Sequence, residues 1–460
     1  MTQYSLRETI DSRPMSRYQW FVVALATALM GLDGYDVQAM AFTANPVSEA
    51  LELSGTQLGL LLSGGLIGMA IGAIWVGPFA DRFGRRRMLM IAMIINAAGL
   101  FLSATASSMP ELMIWRVITG LGVGGILTSG TVLVSEYSNA KHRGLCMSIY
   151  AAGYPVGATL GGLAAIPLIG TLGWQSVFVL GGLVTVVAVV FVGLKMPESL
   201  DFLAARSVST QASDDGAEQR RAEVIASRMG ISGPVTLENY DEDSRTTAGA
   251  SRNSYAQLLS PENRRSTLLL WAMFFIVMFG FYFANTWTPQ LLTEVGFSTE
   301  EGIFGGIMLM IGGTIGAVLY GVFASRWDVR RVQAVFAVAS GVMFIVFISS
   351  TSWLPAALVA GVLLGLIING CISGIYTIAP MTYTPRLRST GVGVALGVGR
   401  TGAILAPIAV GALLDLGATP GILYIGAGVI VALAAVVVLP ITLHQRTASE
   451  VRAEVAAGKD

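Results

Sequence analysis

The feature that most constrains this chain is a series of uninterrupted apolar stretches, each long enough to cross a bilayer as a helix, which takes about 20 residues. In hydrocarbon a single segment can satisfy its own backbone hydrogen bonds only as a helix. Charged residues make up only 12% of the chain and hydrophobic residues 54%. A water-soluble fold is therefore excluded, and the sequence predicts an all-α polytopic membrane protein.

Twelve such stretches occur, six on each side of a long polar segment. They lie near residues 18–42, 57–80, 87–106, 111–136, 144–169, 174–196, 266–292, 301–325, 332–350, 353–380, 387–414 and 420–443. The sequence predicts an N-terminal six-helix bundle over 1–196, a cytoplasmic linker over 197–265, and a C-terminal six-helix bundle with a cytoplasmic tail over 266–460.

The basic residues divide the loops into two classes. Apart from Arg116 and Arg400, every Lys and Arg precedes span 1, follows an even-numbered span, or lies in the linker or tail. The loops on the other side carry acids instead, including Glu49, Glu294 and Asp415. We call these the basic side and the acidic side. Because Lys and Arg collect in cytoplasmic loops, we expect a multi-pass protein of the cell's inner membrane with both termini in the cytoplasm.

Other features exclude several classes of function. The net charge is zero, which gives no reason to expect a nucleic-acid partner. No GxxxxGK[ST] loop is present, so neither ATP-driven transport nor enzymatic activity is expected. Cys146 and Cys371 lie inside apolar stretches without CxxC spacing, which predicts neither a metal site nor a disulfide.

The loop after span 2 carries a specific motif. Residues Gly77 to Arg86 match GxxxDRxGRR at every defined position, and the chain thereby resembles the major facilitator superfamily. A looser copy, without the acid, begins at Gly321 after span 8. An acid among arginines at a helix end can latch neighbouring helices through charge-assisted hydrogen bonds, although a plain positive anchor remains an alternative. The resemblance implies a cytoplasmic gate that comprises Gly77, Asp81, Arg82, Gly84, Arg85, Arg86, Glu136, Arg143 and Arg388.

Further motifs narrow the resemblance over nearly the full length of the chain. Asp33-Gly34-Tyr35-Asp36 in span 1 looks like the DGxD element of the aromatic acid:proton symporter family, and the stretch from Arg116 to Gly124 resembles that family's RxxxGxGxG run. The segment that follows span 6, Pro197 to Phe202, is similar to the corresponding segment of that family. It also overlaps a sugar-porter pattern, but Leu200 and Asp201 differ from the residues of that pattern. The resemblance implies proton-coupled uptake of an aromatic carboxylate.

Charged groups inside the membrane are the candidates for proton coupling. Asp33 and Asp36 are three residues apart and therefore share one face of span 1. An ionised group at the bilayer centre costs at least about 3 kcal/mol, so both need a partner, a proton or a hydrated cavity. By depth, Arg116 in span 4 is the expected partner. We expect Asp33, Asp36 and Arg116 to form the proton-coupling site; the alternative is a fixed ion pair that only orients two helices.

Two further groups of residues are candidates for substrate binding. Arg400 lies near the middle of span 11, where its guanidinium suits a bidentate contact with an organic anion. A salt bridge to an acid of another span is the alternative. In span 7, aromatic rings and an amide provide surfaces for a flat substrate, and an interfacial aromatic belt is the rival interpretation. The candidates in span 7 are Tyr282, Phe283, Asn285 and Trp287.

These observations predict a symporter that takes up an aromatic carboxylate, such as a benzoate or hydroxybenzoate, by alternating access. The rivals are a major facilitator transporter of a non-aromatic organic acid or a sugar-like solute, and, from another class, a passive channel or membrane sensor. We expect protons, a small aromatic acid and the lipid bilayer as partners, no cofactor because the proton gradient supplies the energy, and a monomer.

Overall fold

The computed structural model describes residues 4–200, 202–203, 206, 217–231, 235–236 and 256–444. Within that part of the chain, twelve helices are long and apolar enough to cross a membrane. Spans 1 to 6 are Arg17–Phe42, Gly55–Phe83, Arg85–Thr105, Met109–Tyr137, Arg143–Leu172 and Gln175–Lys195. Spans 7 to 12 are Arg264–Glu294, Thr299–Ala324, Val329–Ser349, Leu354–Thr382, Pro385–Asp415 and Pro420–Val438. The predicted fold class, twelve membrane helices in two six-helix bundles, is confirmed.

The predicted helix ends agree with the structure to within a few residues. The largest difference is at span 12, which ends at Val438 rather than near residue 443. Pro440 lacks the N–H group that would continue the helical hydrogen-bond ladder, so the apolar composition there overstates the length of the helix.

Glycines bring pairs of helices into backbone contact within each half. In spans 2 and 4, Gly68 and Gly120 lie where any side chain would collide with the backbone of the opposite helix. Gly312 and Gly365 make the equivalent contact between spans 8 and 10. Small residues at helix crossings are the usual means of close packing in membranes, where burial of apolar surface provides little driving force. The glycine run after Arg116 is therefore a packing surface.

The start of the chain and part of the predicted linker pack together on the basic side of the first half. The N-terminal helix Leu6–Ser12 and the linker helix Ala217–Arg228 contribute buried side chains to one cluster with the first-half spans. Two-residue strands, Tyr4–Ser5 and Val235–Thr236, pair in parallel. The described part of the predicted linker thus includes ordered structure docked on the first half.

Hydrogen bonds join the two halves on the acidic side. Asp415, at the end of span 11, accepts from the backbone N–H of Gly55 at 2.6 Å and of Thr56 at 2.8 Å, the first residues of span 2. The Asn45 amide donates to the Thr299 hydroxyl at 3.1 Å across the same boundary. A carboxylate at a helix N-terminus satisfies N–H groups that have no partner inside the helix. The halves are therefore latched together on the acidic side.

The same two helices separate towards the basic side. The face of span 2 that contacts span 11 includes Ser63, whose hydroxyl donates to the Ile404 carbonyl at 2.7 Å. Farther along span 2, Ile74 is 72% exposed. On the facing side of span 11, a side chain added at Gly393 or Gly397 would meet no atom within 4 Å. The cleft between the halves is thus closed on the acidic side and open on the basic side.

Removing the charge of Asp415 is expected to weaken the acidic-side closure. For Asp415→Asn, the population open on the acidic side should rise by roughly two- to fivefold, the usual effect of one surface charge at a helix N-terminus. Double electron–electron resonance between spin labels at Glu52 and Leu416, which lie on opposite sides of the boundary, measures that population.

Glu301→Gln is the matched control, because Glu301 caps the N-terminus of span 8 within its own half, accepting from the Ser298 N–H at 2.8 Å. An equal shift for both variants, or no shift for Asp415→Asn, would contradict the assignment of Asp415 as an inter-half latch.

Candidate transport site

A buried ion pair joins spans 1 and 4. The Arg116 guanidinium donates to Asp36 Oδ1 at 3.0 Å, to Asp36 Oδ2 at 3.4 Å and to the Asp36 carbonyl at 3.1 Å. The Arg116 and Asp36 side chains are each only 2% exposed. The Arg116 guanidinium also lies 5.8 Å from the centroid of the Phe178 ring. Removing either partner would leave an uncompensated buried charge.

Asp33 is in a different position although it shares the same face of span 1. It is 3% exposed, and its Oδ1 has no hydrogen-bond partner. Its electrostatic neighbours are Arg400, from the other half, and Asp36. The predicted trio of Asp33, Asp36 and Arg116 is thus divided: Arg116 pairs with Asp36, and Asp33, within electrostatic range of Arg400, keeps one oxygen without a hydrogen bond. Depth alone could not show this division, because it does not fix the direction in which each carboxylate points.

Arg400, in the second half, contacts a residue of the first half at the depth where the acidic-side closure ends and the cleft begins. One of its Nη atoms lies 3.2 Å from the Tyr282 hydroxyl, in span 7, and 3.0 Å from Met69 Sδ, in span 2. Among the described side chains, no carboxylate lies within ion-pairing distance of Arg400. The alternative, a salt bridge between Arg400 and an acid of another span, is therefore not formed in this conformation. The guanidinium has further N–H donors that could bind a ligand in the cleft.

Two tyrosines that the sequence did not single out complete the cluster around Arg400. Tyr376, in span 10, interacts electrostatically with Arg400 and is 45% exposed. Tyr154, in span 5, has Tyr282, Asp33 and Arg400 as electrostatic neighbours. Both lie in glycine-rich helices in which an isolated tyrosine gives no periodic signal, so the tertiary arrangement was needed to find them.

The span 7 candidates divide into one that faces the cluster and three that do not. Tyr282 contacts Arg400, as described above. Phe283 packs instead against Phe344 and Tyr424, with ring centroids 5.7 and 5.0 Å away, inside the second half. Phe283 therefore points away from Arg400, because one step along a helix turns a side chain by about 100°, and its contact with substrate stays a prediction.

Asn285 and Trp287 also make protein contacts. The Trp287 indole is fully buried and donates to the Pro407 carbonyl at 3.2 Å, which places it in the acidic-side closure rather than in the cleft. The Asn285 amide donates to the Phe281 carbonyl of its own helix at 2.8 Å, while its Oδ1 is buried without a partner. Trp287 therefore offers no free ring face to a ligand here, and Asn285 offers one acceptor atom.

The motif loop on the basic side bonds to the first half. Gly84 separates spans 2 and 3 at φ 101°, a conformation that favours glycine, and Glu198 Oε2 lies 2.8 Å from where a Cβ would stand. The Glu198 carboxylate accepts from the Arg86 N–H at 2.9 Å, and the Arg86 guanidinium donates to the Gly193 carbonyl. Arg82 lies 5.5 Å from the centroid of the Phe83 ring. Sequence reasoning missed Glu198, although it lies in the quoted span 6 exit.

Glu136 holds this loop to the end of span 6. It forms an ion pair with Arg85 at 3.6 Å and accepts from the Ser199 hydroxyl and the Leu200 N–H, each at 2.8 Å. Arg143 forms an ion pair with Asp11 of the N-terminal helix at 3.2 Å, and its predicted gate contact with Glu136 and Asp81 stays a prediction.

The remaining gate residues are only partly described. The Asp81 side chain and the surroundings of Gly77 lie outside the described part of the structure. Arg388 lies in the first turns of span 11, on the opposite half, and its Nε is buried without a hydrogen bond. The residues of the predicted gate that the structure describes are thus not drawn together across the cleft, which agrees with its opening on the basic side.

A cleft between two six-helix halves, with charged groups from both halves at its closed end, is the design of a secondary membrane transporter. The sequence profile of the Major Facilitator Superfamily matches residues 21–319 and 270–459. The chain belongs to the major facilitator superfamily and, within it, to the aromatic acid transporters, which are not enzymes.

Characterised relatives cover most of the chain. It is 33% identical over 414 residues to the gallate transporter of Pseudomonas putida, covering 90% of this chain and 89% of that protein. It is 31% identical over 400 residues to the 4-hydroxybenzoate transporter PcaK of Acinetobacter baylyi, covering 86% and 85%. The xylose transporter XylE of E. coli in an inward-open conformation superposes with a TM-score of 0.71 at 17% identity, covering 95% of this chain and 99% of that one. The latter likeness shows the fold.

The two aspartates of span 1 are expected to differ in their contribution to stability. Asp36→Asn leaves the Arg116 charge buried without a counter-ion, which should lower the free energy of unfolding by about 3 to 5 kcal/mol. Asp33→Asn removes a carboxylate with an unsatisfied oxygen and should cost much less. Chemical unfolding in detergent micelles measures both values, and equal losses would contradict the division of roles.

Proposed function

We propose that this protein is a proton-coupled symporter that takes up an aromatic carboxylate by alternating access. The observation that carries the proposal is that two intramembrane charges from different halves, Asp33 and Arg400, each lack an ion-pair partner among the described residues. Asp33 keeps one buried oxygen without a hydrogen bond, Arg400 bonds the uncharged Tyr282 and Met69 side chains, and the two charges lie within electrostatic range of each other. The printed names of the relatives, transporters of gallate and 4-hydroxybenzoate, support an aromatic acid as the cargo.

Coupling follows from competition for one guanidinium. When Asp33 is ionised, both it and a substrate carboxylate are attracted to the Arg400 guanidinium. Placing two anions beside one cation in a low-dielectric site is unfavourable. When Asp33 is protonated, Arg400 is free to bind the substrate carboxylate through two parallel hydrogen bonds. Proton binding and substrate binding therefore favour each other, which is the thermodynamic requirement for symport.

Asp36 has a structural part in this mechanism. Arg116 donates two hydrogen bonds to its carboxylate and one to its backbone carbonyl, so Asp36 fixes span 1 against span 4 and keeps the Asp33 face turned towards the cleft. Asp33 is thus the titrating group of the pair, and Asp36 with Arg116 orients it.

The cleft provides an aromatic surface beside the anchor. Tyr376 presents a 45% exposed side chain near Arg400, and the Tyr282 ring, whose hydroxyl bonds Arg400, packs edge-on against Phe281 with centroids 5.2 Å apart. Aromatic rings favour offset or edge-to-face contact with another ring. A flat ring that carries a carboxylate matches this combination better than an aliphatic acid or a sugar does.

The asymmetric opening of the cleft supports alternating access. The latch between Asp415 and span 2 closes one side while spans 2 and 11 separate on the other. To reach the conformation that is open on the acidic side, the bonds between Asp415 and span 2 must break. The basic-side faces of spans 2 and 11 must then come into contact. A passive channel needs a continuous pore, whereas here the fully buried Trp287 packs within the acidic-side closure.

The arrangement of the protein in the cell is part of the proposal. With its basic loops in the cytoplasm, the protein is a multi-pass protein of the inner membrane with cytoplasmic termini, and the cleft described here opens inward. All the groups named above belong to one chain, so the proposed unit of transport is the monomer. Protons and one small aromatic acid are its ligands, and no cofactor is required.

Asp33→Asn is expected to separate substrate binding from proton coupling. The variant mimics protonated Asp33, so in proteoliposomes it should exchange labelled 4-hydroxybenzoate across the membrane but fail to accumulate it under a proton gradient. Glu294→Gln, which removes an acid at the acidic-side end of span 7, is the matched control and should accumulate normally. Retained gradient-driven accumulation by Asp33→Asn would refute the coupling role.

Arg400→Lys is expected to weaken substrate binding. A lysine keeps the charge but loses the planar pair of donors, so the KM for labelled 4-hydroxybenzoate should rise by about tenfold. Competition with unlabelled benzoate, an aliphatic carboxylate and glucose in the wild-type protein tests the cargo class. Competition by the aliphatic acid or by glucose, but not by benzoate, would favour the rival cargoes.

A further inference from the structure

Tyr154 is held beside Asp33 by the backbone contact of two helices. Gly34, the residue next to Asp33, lies where any side chain would overlap the Tyr154 carbonyl, and Gly31 and Gly157 make a similar contact one turn away. The position of the Tyr154 backbone relative to span 1 is therefore fixed by the helix crossing.

The hydroxyl of Tyr154 forms no hydrogen bond with any described residue. It is buried, whereas the Tyr282 hydroxyl bonds Arg400 at 3.2 Å and the Tyr35 hydroxyl donates to the Val177 carbonyl. A buried polar group without a partner costs about 1 to 3 kcal/mol. A phenylalanine would avoid that cost, so an external partner is needed to explain the hydroxyl.

The surroundings indicate what that partner is. The polar groups that face Tyr154 are Tyr282, Asp33, Arg400 and Asp36, which are the groups of the proposed transport site. A substrate anchored by its carboxylate on Arg400 would place the rest of its ring within this cluster. A polar substituent on the ring would then meet the Tyr154 hydroxyl, which can both donate and accept.

We propose that Tyr154 is a specificity-determining residue that binds a ring hydroxyl of the substrate and selects hydroxylated aromatic acids over unsubstituted ones. This inference rests on the proposed function and adds the substrate class within it. A site built to hydrogen-bond a hydroxyl discriminates against the analogue that lacks it, because its own polar group then stays buried and unpaired.

Tyr154→Phe tests the proposal in proteoliposomes with labelled benzoate and 4-hydroxybenzoate. The wild-type protein should show a lower KM for 4-hydroxybenzoate. In the variant that KM should rise by about three- to tenfold, the effect of one neutral hydrogen bond, while the KM for benzoate stays level or falls. Tyr320→Phe is the matched control, because its hydroxyl donates to the Val329 carbonyl at 3.2 Å, away from the cleft, and it should leave the ratio of the two KM values unchanged.

The other outcomes are distinct. Equal changes in both KM values, or an unchanged ratio in Tyr154→Phe, would overturn the role of Tyr154 and leave the proposed function standing. Another outcome is that the ratio of the KM for benzoate to the KM for 4-hydroxybenzoate falls in only one variant. If it falls in Asn285→Leu but not in Tyr154→Phe, the unbonded Asn285 oxygen, and not Tyr154, binds the ring hydroxyl of the substrate. A wild-type protein that transports neither acid would overturn both proposals.

Discussion

The free-energy cost of an ionised group in hydrocarbon governs the centre of this protein. Asp36 and Arg116 offset that cost by forming an ion pair with three hydrogen bonds. The pair thereby fixes the position of span 1 relative to span 4. Asp33 and Arg400 are left facing each other from opposite halves without a direct ion pair. Neither has an ion-pair partner among the described residues, which is why we propose them as the groups that bind a proton and an anion. One turn of span 1 thus carries one acid in a rigid pair and one acid without such a partner.

Much of the fold follows from elementary patterns. The lengths of the apolar stretches predicted twelve helices, and most of their ends agree with the structure because the boundaries carry strong signals, such as the capping boxes that begin at Ser16, Ser54 and Ser298. The glycine run after Arg116 was recognised as a motif, and its physical reason, backbone contact with span 2, became visible only with both helices in place.

The site was predictable in its residues but not in its pairings. Rare intramembrane charges identified Asp33, Asp36, Arg116 and Arg400, since each stands out against an apolar background. Which acid meets which arginine depends on rotation and tilt of the helices, which sequence spacing does not determine. Aromatic residues give no such contrast in a chain with 9% Phe, Trp and Tyr, so the sequence selected Phe283, which packs inside the second half, and did not single out Tyr154 and Tyr376.

The residues on the two sides of the contact between Asp415 and span 2 differ in how well they tolerate substitution. Two donors are main-chain N–H groups, which every residue except proline supplies, and the Thr56 side chain adds a hydrogen bond of its own. Gly55 is restricted for another reason: a Cβ there would stand 2.6 Å from the Gly411 carbonyl oxygen. A replacement at position 56 therefore loses one bond and keeps the main-chain donor, whereas a replacement at position 55 disturbs the helix contact and one at position 415 removes the acceptor of every bond. The balance between the two conformations should depend more on positions 55 and 415 than on position 56.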